Sequence, residues 1–315
     1  MSFKEGLEKD YVEMLNLKES IGNSRLTYLP YIKEFIMFCS NTYPDAVCIT
    51  KEMMDLWLQQ KHFKTNATHN SAISRIRKFT KYQAAIGKDT FVLGEEYSVK
   101  VVHYTPYIFT DAELQKLFEA FDMLHPHFES PEREFIVPVL FRMMYCCGMR
   151  PSEPLKLLFE DVNLQTGEIY IRQSKRKKDR RILMSKDLIS LCCRYDSFKK
   201  PRTYFFERVD GSRFSTYWME NQFHICWRNS GLVKRGKPRP YDLRHNYATR
   251  TMMRWINEGK DVMAMTTYLS AYMGHTEFTS TLYYIHLLPE RLIKSPNIDW
   301  KRFSCIYPEV AYEEN

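Results

Sequence analysis

Residues 132–158 read EREFIVPVLFRMMYCCGMRPSEPLKLL. The first part predicts a long apolar helix from about Glu132 to Cys147, kinked at Pro138, whose ring cannot donate to the helical ladder. Gly148 fits the left-handed residue that ends such a helix. Pro151 suits the first position of a following short helix that carries Glu153, Leu155 and Leu158. Arg150 lies between the two, and the proline after it favours an extended backbone. A cation is thus displayed at a structural edge, directly behind a core helix.

Working outward, the period changes to two after Asp161. Glu168–Arg172 and Arg180–Met184 alternate as two strands, joined by a basic turn from Ser174 to Asp179. Helical spacing returns over about 242–258, 261–273 and 279–288. Upstream, Thr110, Asp111 and Glu113 give a helix-start signal before Leu114, Leu117, Phe118 and Phe121. Residues 89–106 show only brief alternation and read as an extended linker. Residues 1–88 read as helical. Tyr28, Tyr31, Ile32, Phe35 and Ile36 share one face, Thr50 caps a second helix, and a third runs from about Thr68 to Ala85. The third carries Arg75, Arg77, Lys78 and Lys81 between apolar positions. The expected fold is mainly α with a small antiparallel β-sheet in the second domain. Its organisation is 1–88 helical, 89–106 linker, 107–288 second domain, and 289–315 a tail whose scattered aromatics could dock on a neighbouring subunit.

Composition narrows the function. The 315 residues hold 46 Lys+Arg against 38 Asp+Glu, a net charge of +8, with 44% hydrophobic and 27% charged residues, which excludes a disordered chain. Phe135–Phe141 is among the longest apolar runs, far below the ~18 residues of a membrane span. The charged start has no apolar signal region. The eight cysteines show no C-x-x-C pair and are expected as free thiols in a reducing cytoplasm. Two segments concentrate the charge. Arg172–Arg181 holds seven Lys/Arg and one Asp, and Lys234–Arg244 holds five and one. Paired basic segments point to a polyanion, although any single run is also explained as a solvated loop.

Four segments place a cationic or acid/base side chain at such an edge: CCGMRPSE, QSKRKKDRR, PRPYDLRHNYATR and AYMGHTEFTSTLYYIHL. Taken singly, each has a plain structural explanation. Arg150 could pair with Glu153, Arg244 with Asp242, His275 could end a helix and Tyr284 could fill a core. In order, they resemble the tyrosine recombinase (phage integrase) family, over nearly the whole chain. The matching elements are Gly148-Met149-Arg150-Pro151-Ser152-Glu153, Lys175 in a turn between strands, Asp242-Leu243-Arg244-His245, Met273-Gly274-His275, and Tyr284 nine residues after His275. One position departs: Tyr241 stands where the family has histidine, three residues before the second arginine. A phenol can donate a hydrogen bond but carries no positive charge near neutral pH.

The resemblance implies a two-domain architecture, a helical core-binding domain plus a catalytic domain, clamped on duplex DNA. It implies cutting and rejoining through a covalent 3′-phosphotyrosyl intermediate, with no cofactor and no metal. The chemistry of the residues fits. Metal-free phosphodiester cleavage needs fixed cations around the non-bridging oxygens, and Arg150 and Arg244 can supply them. Tyr284 would be the nucleophile, with Tyr283 as its rival. Lys175 would protonate the leaving 5′-oxygen, and His275 would hydrogen-bond the phosphate. Tyr241 and Glu153 would support the site. Arg75, Lys78, Lys81, Arg176, Lys177 and Lys178 would face DNA phosphates. The expected partners are duplex DNA, further copies in a homotetramer on synapsed DNA, and accessory DNA-bending or excision factors, with no membrane and a nucleoid location. A mobile element or a chromosome-maintenance system would employ such an enzyme. No additional arm-type DNA-binding domain is expected ahead of the first helices. Three other readings stay open: a type IB topoisomerase, a catalytically inactive DNA-binding regulator, and an RNA-binding protein with basic loops.

Overall fold

In the computed structural model, residues 2–287 are described apart from 26–27, 102–103, 173–178, 199–201, 234–235 and 276. The chain divides into two units, Met1–Tyr104 and Thr105–Asn315, each around its own core.

In the first unit, helices α1 (Phe3–Ser20), α2 (Leu29–Thr42), α3 (Lys51–Gln60) and α4 (Asn66–Ala85) follow one another. Ser2 with Glu5, Thr50, and Thr65 with Thr68 accept the orphan N–H groups at the starts of α1, α3 and α4. Ile32, Phe35 and Ile36 of α2 meet Ile73, Ile76 and Phe79 of α4, with Met14 of α1 and Trp57 of α3 closing the core. Hydrophobic spacing singled out three of these helices; α1 is the fourth, and its apolar positions are diluted by charge. The stretch read as linker behaves differently from its sequence pattern. Leu93 is buried in the first core, with Phe91 and Tyr97 packed on it. The Phe91 N–H donates to the Ile49 carbonyl at 2.8 Å. Arg77 of α4 donates to the Gly94 carbonyl and pairs with Glu95. These partners lie elsewhere in the chain, so no local periodicity announces them.

The second unit holds α5 (Asp111–Asp122), α6 (Arg133–Cys147), β1 (Glu168–Ile171), β2 (Arg180–Leu183), α7 (Lys186–Ser197), α8 (Thr216–Asn229), α9 (Pro240–Asn257), α10 (Val262–Met273) and α11 (Thr279–Leu282). The last continues as a 3₁₀ turn, Tyr283–Leu287. The capping box of Thr110 and Glu113 opens α5. Helix α6 is buried at Ile136 through Phe141, Met143, Met144 and Cys147, and it packs against α5, α7 and α9. A helix apolar on all faces belongs at the centre. The strands pair antiparallel, Glu168 with Leu183 through Ile171 with Arg180.

The short helix expected after Pro151 is instead a turn followed by two 3₁₀ segments, Pro154–Lys156 and Phe159–Asp161. Pro154 has no N–H to give the Arg150 carbonyl. The Glu153 N–H donates there instead, at 2.9 Å, in the tighter 3₁₀ pattern. Asn246 of α9 accepts from the Phe109 N–H and donates to the Tyr107 carbonyl, which fastens the entry of this unit to α9. The described cysteines are free thiols. Among the described residues no helix is long and apolar enough to cross a membrane. The tail from 289 lies outside the described residues.

Candidate active site

Helix α6 ends at Gly148, left-handed at φ +60°. A Cβ there would come within 2.5 Å of the Tyr247 ring, so glycine serves both the turn and the close approach of α9. Helix α10 ends the same way at Gly274, φ +64°. Its last carbonyls have no helical partner, and three arginines take them in sequence. Arg180 Nε donates to Tyr272 O at 2.9 Å, Arg244 Nη2 to Met273 O at 2.7 Å, and Arg150 Nη2 to Gly274 O at 2.6 Å. Cations are favoured at this negative end of the helix.

Arg244 comes from the first turns of α9 and is fully buried. Its Nη1 donates to Gly148 O at 2.6 Å, while Nε meets no hydrogen-bond partner among the described residues. Burial, then the like charge of Arg150, lowers its pKa. Glu153 holds Arg150 at two points, accepting from its backbone N–H at 2.7 Å and from Nη1 at 2.9 Å. Burial pushes the Glu153 pKa up. The hydrogen bonds and charge of Arg180 outweigh this, with the Arg150 N–H and the Arg244 charge adding, and the group lies at about 2. It is an ionised carboxylate throughout the neutral range.

Tyr284 packs with Leu282 and Ile285 against Met252 of α9 and Leu269 and Met273 of α10, and is 2% exposed. Its ring lies 5.5 Å from that of His245 and 6.0 Å from that of His275. Burial raises its pKa to about 12 against the opposing charge of Arg244 and a hydrogen bond with it. Tyr283 is 39% exposed. The two adjacent tyrosines therefore face differently, and only Tyr284 joins the arginines. His275 Nδ1 is hydrogen-bonded to Thr281 Oγ1 at 2.6 Å, which fixes its ring. Tyr241 lies one helical turn before His245, their rings 4.9 Å apart. His245 is held at about 4 by burial, then by the charges of Arg244 and Arg239. Its Nδ1 is buried and unpartnered among the described residues.

Arg150, Glu153, Tyr241, Arg244, His275 and Tyr284 are thus brought to one place by the ends of α6, α10 and α11 and the start of α9. Lys175, Arg176, Lys177 and Lys178 lie outside the described residues. Arg75, Lys78 and Lys81 sit on α4 in the first unit. Arg75 stands over the Tyr31 ring at 5.0 Å and Lys78 over the Tyr28 ring at 5.7 Å, and Lys78 and Lys81 are exposed. Sequence reasoning passed over Arg180 and Thr281. The signal for Arg180 was strand alternation, which sets it on the face of buried Ile182 and opposite exposed Arg181 and Leu183.

Residues 109–291 match the profile of the phage integrase family. The chain is 26% identical over 281 residues to a Sinorhizobium fredii protein named as a candidate integrase/recombinase, y4rE, covering 86% of this chain and 88% of that one. It is 24% identical over 313 residues to tyrosine recombinase XerC of Bacillus subtilis, covering 90% and 92%. The fold superposes on that of XerH site-specific recombinase in a post-cleavage complex with difH substrate, with a TM-score of 0.62 at 19% identity, covering 88% of this chain and 80% of that one. It also superposes on Tn1549 transposon integrase in complex with circular intermediate DNA, with a TM-score of 0.65 at 14% identity, covering 96% and 100%. With a described fold that is mainly helical around one small antiparallel sheet, and with the family profile spanning more than half its length, the chain belongs to the phage integrase family, the tyrosine recombinases.

Proposed function

We propose that this protein is a site-specific DNA strand transferase that cuts and rejoins duplex DNA through a covalent 3′-phosphotyrosyl bond to Tyr284, in the service of a mobile genetic element. The observation that carries the reading is Tyr284 beside the buried Arg244, whose Nε is unmet, with Arg150 and His275 at the same helix end. A buried arginine donor with no protein partner is a place where a ligand oxygen can be held. Arg150 and Arg244 would hold the non-bridging oxygens as charge builds on them, and His275 would add a hydrogen bond. The Tyr284 oxygen forms a bond to phosphorus and passes its proton to water, and the bond from phosphorus to the 5′-oxygen breaks. Lys175 gives that oxygen a proton. Rejoining reverses the step, with a 5′-hydroxyl displacing the tyrosine. Guanidinium groups serve where other nucleases place a divalent ion, so the step needs no metal. Family membership supports duplex DNA as partner and a homotetramer on synapsed DNA. The relative named as an integrase and the likeness to a transposon integrase support the mobile-element context. The α4 cations would meet backbone phosphates, which makes affinity fall with salt.

The test is a pool of duplexes with randomised sequence, incubated in excess EDTA, from which DNA that stays on the protein through detergent is recovered and its attachment residue mapped. Attachment at Tyr284, lost in Tyr284→Phe and kept in Tyr283→Phe, is expected. Attachment at Tyr283, or a strict Mg²⁺ requirement, overturns the mechanism. Duplex binding with no adduct would identify a regulator, and relaxation of supercoiled plasmid without strand exchange a topoisomerase.

A further inference from the structure

We propose that Arg180 is a positioning residue of this site: it takes up the charge of Glu153, so that Arg150 meets the phosphate as a full cation, and it fastens the root of the lysine-bearing hairpin. The proposal deepens, and rests on, the strand-transfer reading.

Arg180 and Glu153 form a two-pronged ion pair, Nη1 to Oε1 at 2.8 Å and Nη2 to Oε2 at 2.7 Å. Their side chains are 8% and 7% exposed. The same carboxylate accepts from Arg150 Nη1 at 2.9 Å. A carboxylate this close, in a site that water barely reaches, cancels most of the field of the guanidinium beside it. With Glu153 alone as its neighbour, Arg150 would be spent on its own support. Arg180 changes the balance, because two guanidinium groups share one carboxylate and the trio keeps a net positive charge. Planar two-pronged pairing is what arginine provides and lysine does not.

The position of Arg180 adds a second consequence. It opens β2 and pairs with Ile171, the last rung before the segment that holds Lys175. Its Nε is bonded to Tyr272 O, and its side chain lies where a Cβ on Gly274 would approach within 3.1 Å. The root of the hairpin is therefore tied to the same α10 end that holds Arg150 and Arg244. An ion pair of purely architectural value could be replaced by a well-packed apolar residue at little cost. That alternative makes the idea testable.

The probe is inorganic phosphate, whose binding raises the melting temperature by an amount that grows with the logarithm of its concentration over Kd. Arg180→Met should weaken phosphate about 10–100-fold, because Glu153 then neutralises Arg150. Adding Glu153→Gln to Arg180→Met removes the stranded negative charge and should restore affinity to within about 5-fold of wild type. Arg180→Lys keeps the charge and should lose less than the methionine variant, which covers the case in which methionine impairs folding. On a duplex recovered as described above, the single-turnover cleavage rate should follow the same order, with duplex Kd unchanged within about 3-fold, since many backbone contacts besides this one phosphate set duplex affinity. An Arg180→Met protein that binds phosphate like wild type, or a double variant no better than the single one, overturns the proposal. Phosphate affinities that fall in the expected order across the variants, with no DNA adduct on wild type, overturn the strand-transfer reading and leave the role of Arg180 at the anion site standing.

Discussion

Arg244 donates to the carbonyl of Gly148 at 2.6 Å, across 96 positions of the chain. The bond is available because Gly148 turns left-handed at the end of α6 and leaves its oxygen outside the helical ladder. The segment that presents Arg150 is thereby fixed to the helix that presents Arg244. The second cation of the site is held by the backbone of the first, so the geometry of the pair depends on a glycine.

Gly148→Ala should therefore be costly. Adopting φ +60° costs an alanine roughly 1–2 kcal/mol. A methyl 2.5 Å from the Tyr247 ring must also displace that ring. Gly211 is the control, since its φ is +80° and nothing lies within 4 Å of its Cβ position. Denaturant unfolding should show Gly148→Ala losing about 2–4 kcal/mol and Gly211→Ala about 1 kcal/mol. Equal losses would show that the approach of Tyr247 does not matter.

His245 gives a pH dependence with a definite sign. Its folded pKa of about 4 lies below the ordinary histidine value because burial, and then Arg244 and Arg239, disfavour the charged ring. As pH falls, the unfolded chain takes the proton first. Stability is fully present above about pH 6.5 and is lost as pH drops toward 4, by on the order of 3 kcal/mol at 1.4 kcal/mol per unit. The difference in unfolding free energy between wild type and His245→Gln should shrink across that window. A constant difference from pH 7 to pH 4 would mean that His245 is not held neutral.

The helix ends that meet at the candidate site were legible in the sequence. Gly148, Arg150, Arg244, Gly274 and Tyr284 were legible because helix ends and motif spacing are local. The β-hairpin was legible because alternation is local too. Helices α7 and α8 went unread. Ser185 and Ser215 cap them, but their buried positions, such as Leu188 and Cys192 or Phe223 and Cys226, are spaced among polar residues, and only tertiary packing makes them a face. The turn after Pro151 was read as helix because the first proline favours a helix start, whereas the second breaks it. Arg180 was hidden for a different reason. Strand alternation puts it on the face of Ile182, but nothing local says that this face meets the Glu153 carboxylate, 27 positions away in the chain.

Tyr241 replaces an imidazole with a phenol. If the phenol only donates a hydrogen bond to the phosphate, Tyr241→Phe should slow single-turnover cleavage about 10-fold. Arg244→Ala, which removes a buried charge from the same phosphate, should cost about 10³-fold or more. Equal losses would assign proton transfer to Tyr241, with His245, 4.9 Å away ring to ring, as the neighbouring group to examine.

Lys175 separates catalysis from plain basicity. The segment between β1 and β2 contains Lys175, Arg176, Lys177 and Lys178. If they only attract DNA, neutralising any one should weaken binding by a similar small amount. If Lys175 protonates the leaving oxygen, Lys175→Ala should keep duplex affinity and slow cleavage about 10²–10⁴-fold, the usual worth of a positioned donor. Lys177→Ala and Lys178→Ala should behave as weak binding variants. A substrate with sulfur in place of the 5′-bridging oxygen sharpens the comparison, because a thiolate departs with little need of a proton. That substrate should restore most of the rate to Lys175→Ala. It should not restore Arg150→Ala, whose defect lies at the non-bridging oxygens, where charge still accumulates when sulfur leaves. Rescue of Lys177→Ala in place of Lys175→Ala would move the acid two residues along the chain. Rescue of neither would remove general-acid catalysis from the hairpin, and its cations would then serve binding alone.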